Sequence, residues 1–454
     1  MIGPTRFTPL GVVAILLTCW ASIVQALGAE APPAEPPGGE AELATEEIPE
    51  IAEATKRFKS GDFQGAKAVL DEAVKRDPQL PPAALFMVRL FAQANQPGAV
   101  QNWLQQTVIE VPEDPEAYLL LADMDFREGR WAQAGALYEE SMERLETLEG
   151  DPRRKSQITE RTLMGIAGLD GVRGDWSAAQ KNLETVLADN PENTAAWEQL
   201  ARALVRQKKP EDALSKLQAA AETDENMPAP EAVLAQLHEE QGDRDNATKW
   251  MIAALKARPR DFNTRLAAAQ WALGIGEIVT AKQQADALLI LKPDSLEAQV
   301  LRGVVAMFLN DHVGGENSAE KFFQKAYLQS PSNLAASNYL ALALAYSGDP
   351  QQRRRAFDIA ENNVRKNPNE PEVYSTLGWT LYKSGRLDEA ERAFATAGSM
   401  GQLRPDTAFY WANLAADRGR NEQALQMLES ALATSTPFAT RDEAEDLLER
   451  LKPK

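Results

Sequence analysis

Cysteine is all but missing from this chain: Cys19 stands alone among 454 residues, and just two histidines, His238 and His312, accompany it. That scarcity excludes a disulfide framework, a His or Cys metal cluster and a Cys-His dyad, so no metal and no cofactor is expected. Positive charge is also short. Forty-eight Lys and Arg stand against 67 Asp and Glu, a formal charge of -19, and a general nucleic-acid binder would need clustered cations to neutralise phosphates. Aromatics are 7% of the residues, which with abundant Ala favours close-packed helices over a sandwich of strands. No Gly-rich phosphate loop precedes a Lys-Ser or Lys-Thr pair, and no Gly-x-Ser-x-Gly elbow occurs. An enzyme is not expected.

What is present starts with an uncharged run. Residues 7–29 carry no charge and follow a short segment whose one basic side chain is Arg6. This is the pattern of a secretion signal, and the run is also long enough to serve as an uncleaved inner-membrane anchor. Val24-Gln25-Ala26 offers a cleavage site, with Ala26-Leu27-Gly28 and Ala29-Glu30-Ala31 as alternatives. Either outcome places the body outside the cytoplasm, in the periplasm or secreted, with no membrane contact beyond that segment. Residues 1–28 are therefore read as signal or anchor. Residues 29–49, rich in Pro, Ala, Gly and Glu, are read as a disordered linker.

The rest of the chain repeats. Ala179, Ala213, Ala247 and Ala281 are each 34 residues apart, as are Ala167, Ala201, Ala235 and Ala269. Gly174, Gly242 and Gly276 keep the same spacing with Lys208 in the missing slot, and Pro191, Pro259 and Pro293 keep it with Glu225 intervening. Each unit reads as two amphipathic helices joined by a Gly-Asp-aromatic turn, the second ending before Pro. Small Ala at the crossings lets the two backbones approach closely.

The pattern resembles the tetratricopeptide repeat, most fully in Tyr374, Leu377, Gly378, Leu381, Gly385, Ala390, Phe394 and Ala397. Gly61-Asp62-Phe63 with Ala66, Ala73 and Pro78 opens the array, and Tyr118, Leu121, Ala122, Gly129, Trp131, Ala134 and Tyr138 mark another unit. The resemblance implies an all-α, right-handed superhelical solenoid of antiparallel helix pairs. About eleven repeats are expected over residues 50–436, with a capping helix at 437–454. Extra residues at 150–155, 311–317 and 350–355 are read as loops.

Members of this family hold ligands in a concave groove lined by the first helix of each unit, so helical phase selects groove candidates. In the fullest unit these are Ser375, Trp379, Tyr382 and Lys383. The same phase gives Asn338, Leu342 and Tyr346 in the preceding unit, and Phe409 and Asn413 in the following one. Together they compose an aromatic and amide-lined peptide site. Packing between neighbouring first helices is the competing account of Trp379 and Tyr382. Function is then expected to be a non-enzymatic protein-interaction scaffold in the bacterial cell envelope, with a protein or peptide partner. A self-assembling structural component that uses the convex face is the alternative, and a carboxylate glycan hydrolase on a helical scaffold a distant one.

Overall fold

The computed structural model describes residues 48–452; the leader and the linker, up to residue 47, lie outside the described residues. Among the described residues are 23 helices and no strand. They divide into two compact units between residues 226 and 227. The first pairs α1 (Pro49–Lys59) with α2 (Phe63–Arg76), α3 (Ala83–Gln93) with α4 (Pro97–Glu110) and α5 (Pro115–Arg127) with α6 (Trp131–Thr147). It continues with α7 (Pro152–Arg173) and α8 (Trp176–Asp189), then α9 (Thr194–Arg206) and α10 (Pro210–Thr223). The second unit pairs α11 (Pro230–Glu240) with α12 (Arg244–Ala257), α13 (Phe262–Gly274) with α14 (Ile278–Leu291) and α15 (Leu296–Phe308) with α16 (Ala319–Gln329). Then come α17 (Leu334–Ala345) with α18 (Pro350–Lys366), α19 (Pro371–Lys383) with α20 (Leu387–Ser399), α21 (Pro405–Asp417) with α22 (Asn421–Leu432), and the unpaired α23 (Arg441–Leu451).

The turn inside each pair explains the glycine register. Ten of the eleven turns contain a left-handed residue; in seven it is a glycine, two use Asn95 (φ 52°) and Lys208 (φ 62°), and the longer α15–α16 connection has both Asn310 (φ 55°) and Gly314 (φ 89°). A side chain there is strained, which is why glycine recurs. Where the Gly-Asp turn is kept, Asp starts the second helix: the carboxylates of Asp62 and Asp175 accept from the backbone N–H of Gly65 and Ala178 at 2.9 and 3.0 Å. The small residues of the motif have a packing cause as well. A Cβ on Gly378 would lie 2.5 Å from the Phe394 ring, and one on Gly303 would lie 2.4 Å from Phe323. The periodic alanines, from Ala167 to Ala281, are all buried.

Within each unit, second helices pack on the first helix of the next pair, as α8 does on α9 and α18 on α19. First helices also meet first helices: α5, α7 and α9 form one row, and α11, α13, α15, α17, α19, α21 and α23 another. In each unit these rows are the inner side of the stack, because first helices meet across consecutive pairs.

Two of the three expected loops are helix. Residues 152–155 open α7 and residues 350–355 open α18, because each run begins with Asp-Pro. Asp151 and Asp349 cap the new helices through the N–H of Arg153 (2.9 Å) and Gln351 (2.8 Å), and Pro at the first helical position gives up an N–H that has no helical partner. The α7 insertion also brings in Arg154, whose Nη2 lies 2.7 Å from Asp114 and 2.8 Å from Glu116; Arg89 reaches Glu116 at 2.9 Å. Burial pushes the Glu116 carboxyl up, but the two guanidinium groups outweigh it and hold the pKa at about 2. Residues 311–317 do form a loop.

Candidate functional site

The nine groove candidates lie in the second unit, on three neighbouring helices of its inner row. Asn338 and Leu342 are on α17, with Tyr346 as its C-cap; Ser375, Trp379, Tyr382 and Lys383 are on α19; Phe409 and Asn413 are on α21. The sequence phase therefore brings them together, but not on one accessible surface. Ser375, Trp379 and Phe409 are buried, Trp379 to 3% exposure. Asn338, Leu342, Tyr346, Tyr382 and Asn413 are partly buried, and Lys383 is exposed.

Trp379 is the hub of an aromatic cluster. Its ring stacks on Tyr410 at 4.4 Å and on Tyr382 at 5.2 Å, with Tyr346 at 5.6 Å and Phe409 at 6.1 Å. The Lys383 ammonium stands 5.2 Å from the Trp379 ring and 5.4 Å from Tyr346. Contacts of this kind contribute about 0.5–1.5 kcal/mol each beyond area burial, so the cluster is stiff. Polar groups are fixed too. The Tyr382 hydroxyl donates to Asp417 at 2.7 Å, Ser375 and Thr407 share a hydrogen bond at 2.8 Å, and the Asn413 amide donates to the Phe409 carbonyl at 2.9 Å.

Two features of this cluster escaped sequence reasoning. His312, read as an ordinary loop residue, stacks on Tyr346 at 3.7 Å with the rings 3° from parallel. Burial, followed by the positive charge of Lys383, lowers its pKa to about 4. The second is the chain's own C-terminal segment. After α22 it passes the α13–α14 turn, where Pro437 stands against Gly276, and it buries Phe438. The backbone N–H and hydroxyl of Thr440 then donate to Asp406 at 3.1 and 2.8 Å. Helix α23 follows against α21 and α22, carrying Glu443 to the Tyr346 and Lys383 end of the cluster. Burial pushes the Glu443 carboxyl above its usual range, against the pull of Lys383. No spacing rule links residues this far apart in sequence.

Two acidic side chains on other first helices are paired as well. Asp123 accepts from Tyr138 at 2.8 Å and from Arg161 at 3.0 Å, and Glu239 pairs with Arg244 at 3.3 Å. His238 meets Asp243 at 3.1 Å. Among the described residues no group of three or more His, Cys, Asp or Glu could hold a metal ion, and no helix is long and apolar enough to cross a membrane.

Stacked antiparallel pairs with an inner row of first helices define a repeat scaffold. Family models of the tetratricopeptide repeat match residues 57–124, 171–228 and 375–440, and the chain is a tetratricopeptide-repeat protein. Such repeats bind protein partners, which makes it a protein-interaction scaffold. Three solved structures are similar, each with a TM-score of 0.36. A tetratricopeptide repeat protein from Parabacteroides merdae is 16% identical, over 64% of this chain and 98% of its own. Yeast Tom70 is 12% identical over 90% and 96%, and PilW, a type IV pilus biogenesis factor, 20% identical over 49% and 96%. Overlap at that level adds nothing to the helix pairs themselves. No curated protein matches the chain.

Proposed function

We propose that this protein is a scaffold of the bacterial cell envelope that holds a peptide or protein partner along its row of first helices. The observation that carries the reading is the row's present occupant. A bent connecting loop, residues 434–440, is held there by a buried aromatic, Phe438, and by the Thr440 backbone N–H, which donates to the side-chain carboxylate of Asp406. A buried aromatic anchor combined with a backbone N–H held by a side-chain acceptor is the kind of grip by which a groove holds a peptide. The rigid floor around Trp379 supports it, with Tyr382 and Lys383 at its accessible edge. The envelope placement rests on the uncharged run at 7–29 behind Arg6.

Affinity capture from envelope extracts, comparing the native chain with a Tyr382→Ala, Lys383→Glu variant, tests this while leaving Trp379 itself in place. Partner recovery is expected to fall about tenfold, the loss of one modest hot spot. Equal recovery from a variant with an unchanged circular dichroism melt removes this face from consideration.

A second reading has its own observation. Ile290 on α14 and Leu328 on α16 are 81% and 70% exposed at matching positions of consecutive second helices. Association of copies through that outer face would show as a concentration-dependent sedimentation coefficient that Ile290→Glu abolishes.

A further inference from the structure

The α18 insertion builds a second feature, next to the Lys383 end of the aromatic cluster. Five cations stand on α18 against two carboxylates, in a chain whose net charge is -19. A cavity of about 240 Å³ opens beside the start of that helix, lined by Pro350, Arg353, Arg354, Phe357, Ser384 and Arg386. Three arginines line it, and no acid does.

We propose that this cavity binds side-chain carboxylates of an acidic peptide segment, gripped by Arg353, Arg354 and Arg386 against the Phe357 ring. The guanidinium groups are placed in advance: Arg386 lies 4.5 Å and Arg354 5.3 Å from the centre of the Phe357 ring. Two of the three keep donors beyond the bonds they already make. Arg353 donates through Nη1 to the Ser347 carbonyl at 2.7 Å, and Arg354 through Nε to Asp358 at 3.0 Å. Arg386 forks onto Glu389 through Nε and Nη2 at 2.7 and 2.6 Å, so an incoming carboxylate takes the place of Glu389 on those two donors. The cavity also lies at the N-terminal ends of α18 and α20, whose backbone dipoles favour an anion. Its volume is roomier than a bare tetrahedral oxyanion, and Phe357 and Pro350 supply apolar walls, so the ligand brings methylenes with its charge. Glutamate side chains fit that description. Repulsion from the acidic remainder of the chain is screened beyond about 10 Å at 0.1 M salt.

Fluorescence anisotropy with the whole protein and a labelled hexaglutamate peptide, at about 50 mM salt, is the test, with hexaglutamine, a phosphoserine peptide and inorganic phosphate as the other arms. Hexaglutamate is expected to bind and hexaglutamine not to. Arg353→Glu with Arg386→Glu should weaken binding by at least about tenfold, Arg386→Lys should weaken it less, and Lys256→Glu, outside the cavity, should leave it unchanged. Arg354→Gln, which removes the fork but no buried group, repeats the comparison if the double variant melts early. The proposal is overturned if hexaglutamate does not bind, or if the cavity variants bind it as tightly as the native chain. It is also overturned if phosphate alone or the phosphoserine peptide proves the stronger ligand.

Discussion

Single residues carry the turn geometry, and Lys208 shows its cost. The 34-residue spacing asks for glycine there, and the backbone is left-handed all the same, with φ at 62°. Lys208→Gly is therefore expected to stabilise the first unit by about 0.5–1 kcal/mol, read as a higher urea midpoint with an unchanged slope. His312 makes a pH-dependent contribution. Its pKa falls from 6.5 to about 4 on folding, so the unfolded chain binds more protons between those values. Stability from this group is complete above pH 6.5, declines as the pH falls towards 4, and changes no further below; the full swing is on the order of 3 kcal/mol. His312→Phe keeps the stack on Tyr346 and should flatten the melting temperature over that window relative to the native chain. Nothing in the sequence separates His312 from a solvated loop residue, because its partner is supplied by another helix.

Elements were the most legible scale. The helix pairs follow from the alanine and glycine registers, since a buried crossing demands a small side chain at a fixed spacing and a tight turn demands a left-handed residue. Legibility failed where insertions broke the period. Asp151-Pro152 and Asp349-Pro350 look like loop punctuation, yet the same dipeptide is a cap followed by a first helical residue, and the extra residues lengthen α7 and α18 instead. That lengthening is functional for packing: Arg154, in the first turn of α7, neutralises Asp114 and Glu116 at the start of α5. Arg154→Ala leaves Asp114 without a counter-charge and Glu116 with Arg89 alone, at an expected cost of about 3–5 kcal/mol to the first unit. Chemical denaturation followed by circular dichroism would show it as an earlier transition. The transition of the second unit should not move, because every residue in this network belongs to the first.

At the scale of the whole molecule, the sequence located a region and the structure redistributed its parts. Helical phase placed Asn338, Trp379 and Phe409 on one row, as the structure does, but phase cannot tell the floor of a groove from its accessible edge. That distinction depends on α23, at the end of the row, and on residues 434–440, which reach back to the α13–α14 turn; both are remote in sequence from α17 and α19. The claim that follows is that partners meet the inner row of first helices and not the outer face. Photo-crosslinking tests it most directly, with a benzophenone amino acid placed in turn at Lys383 and Asn413 on the row and at Ile290 and Leu328 on the second helices. Crosslinks to a partner from the first two positions and none from the last two is the predicted result; crosslinks confined to Ile290 and Leu328 would contradict the account.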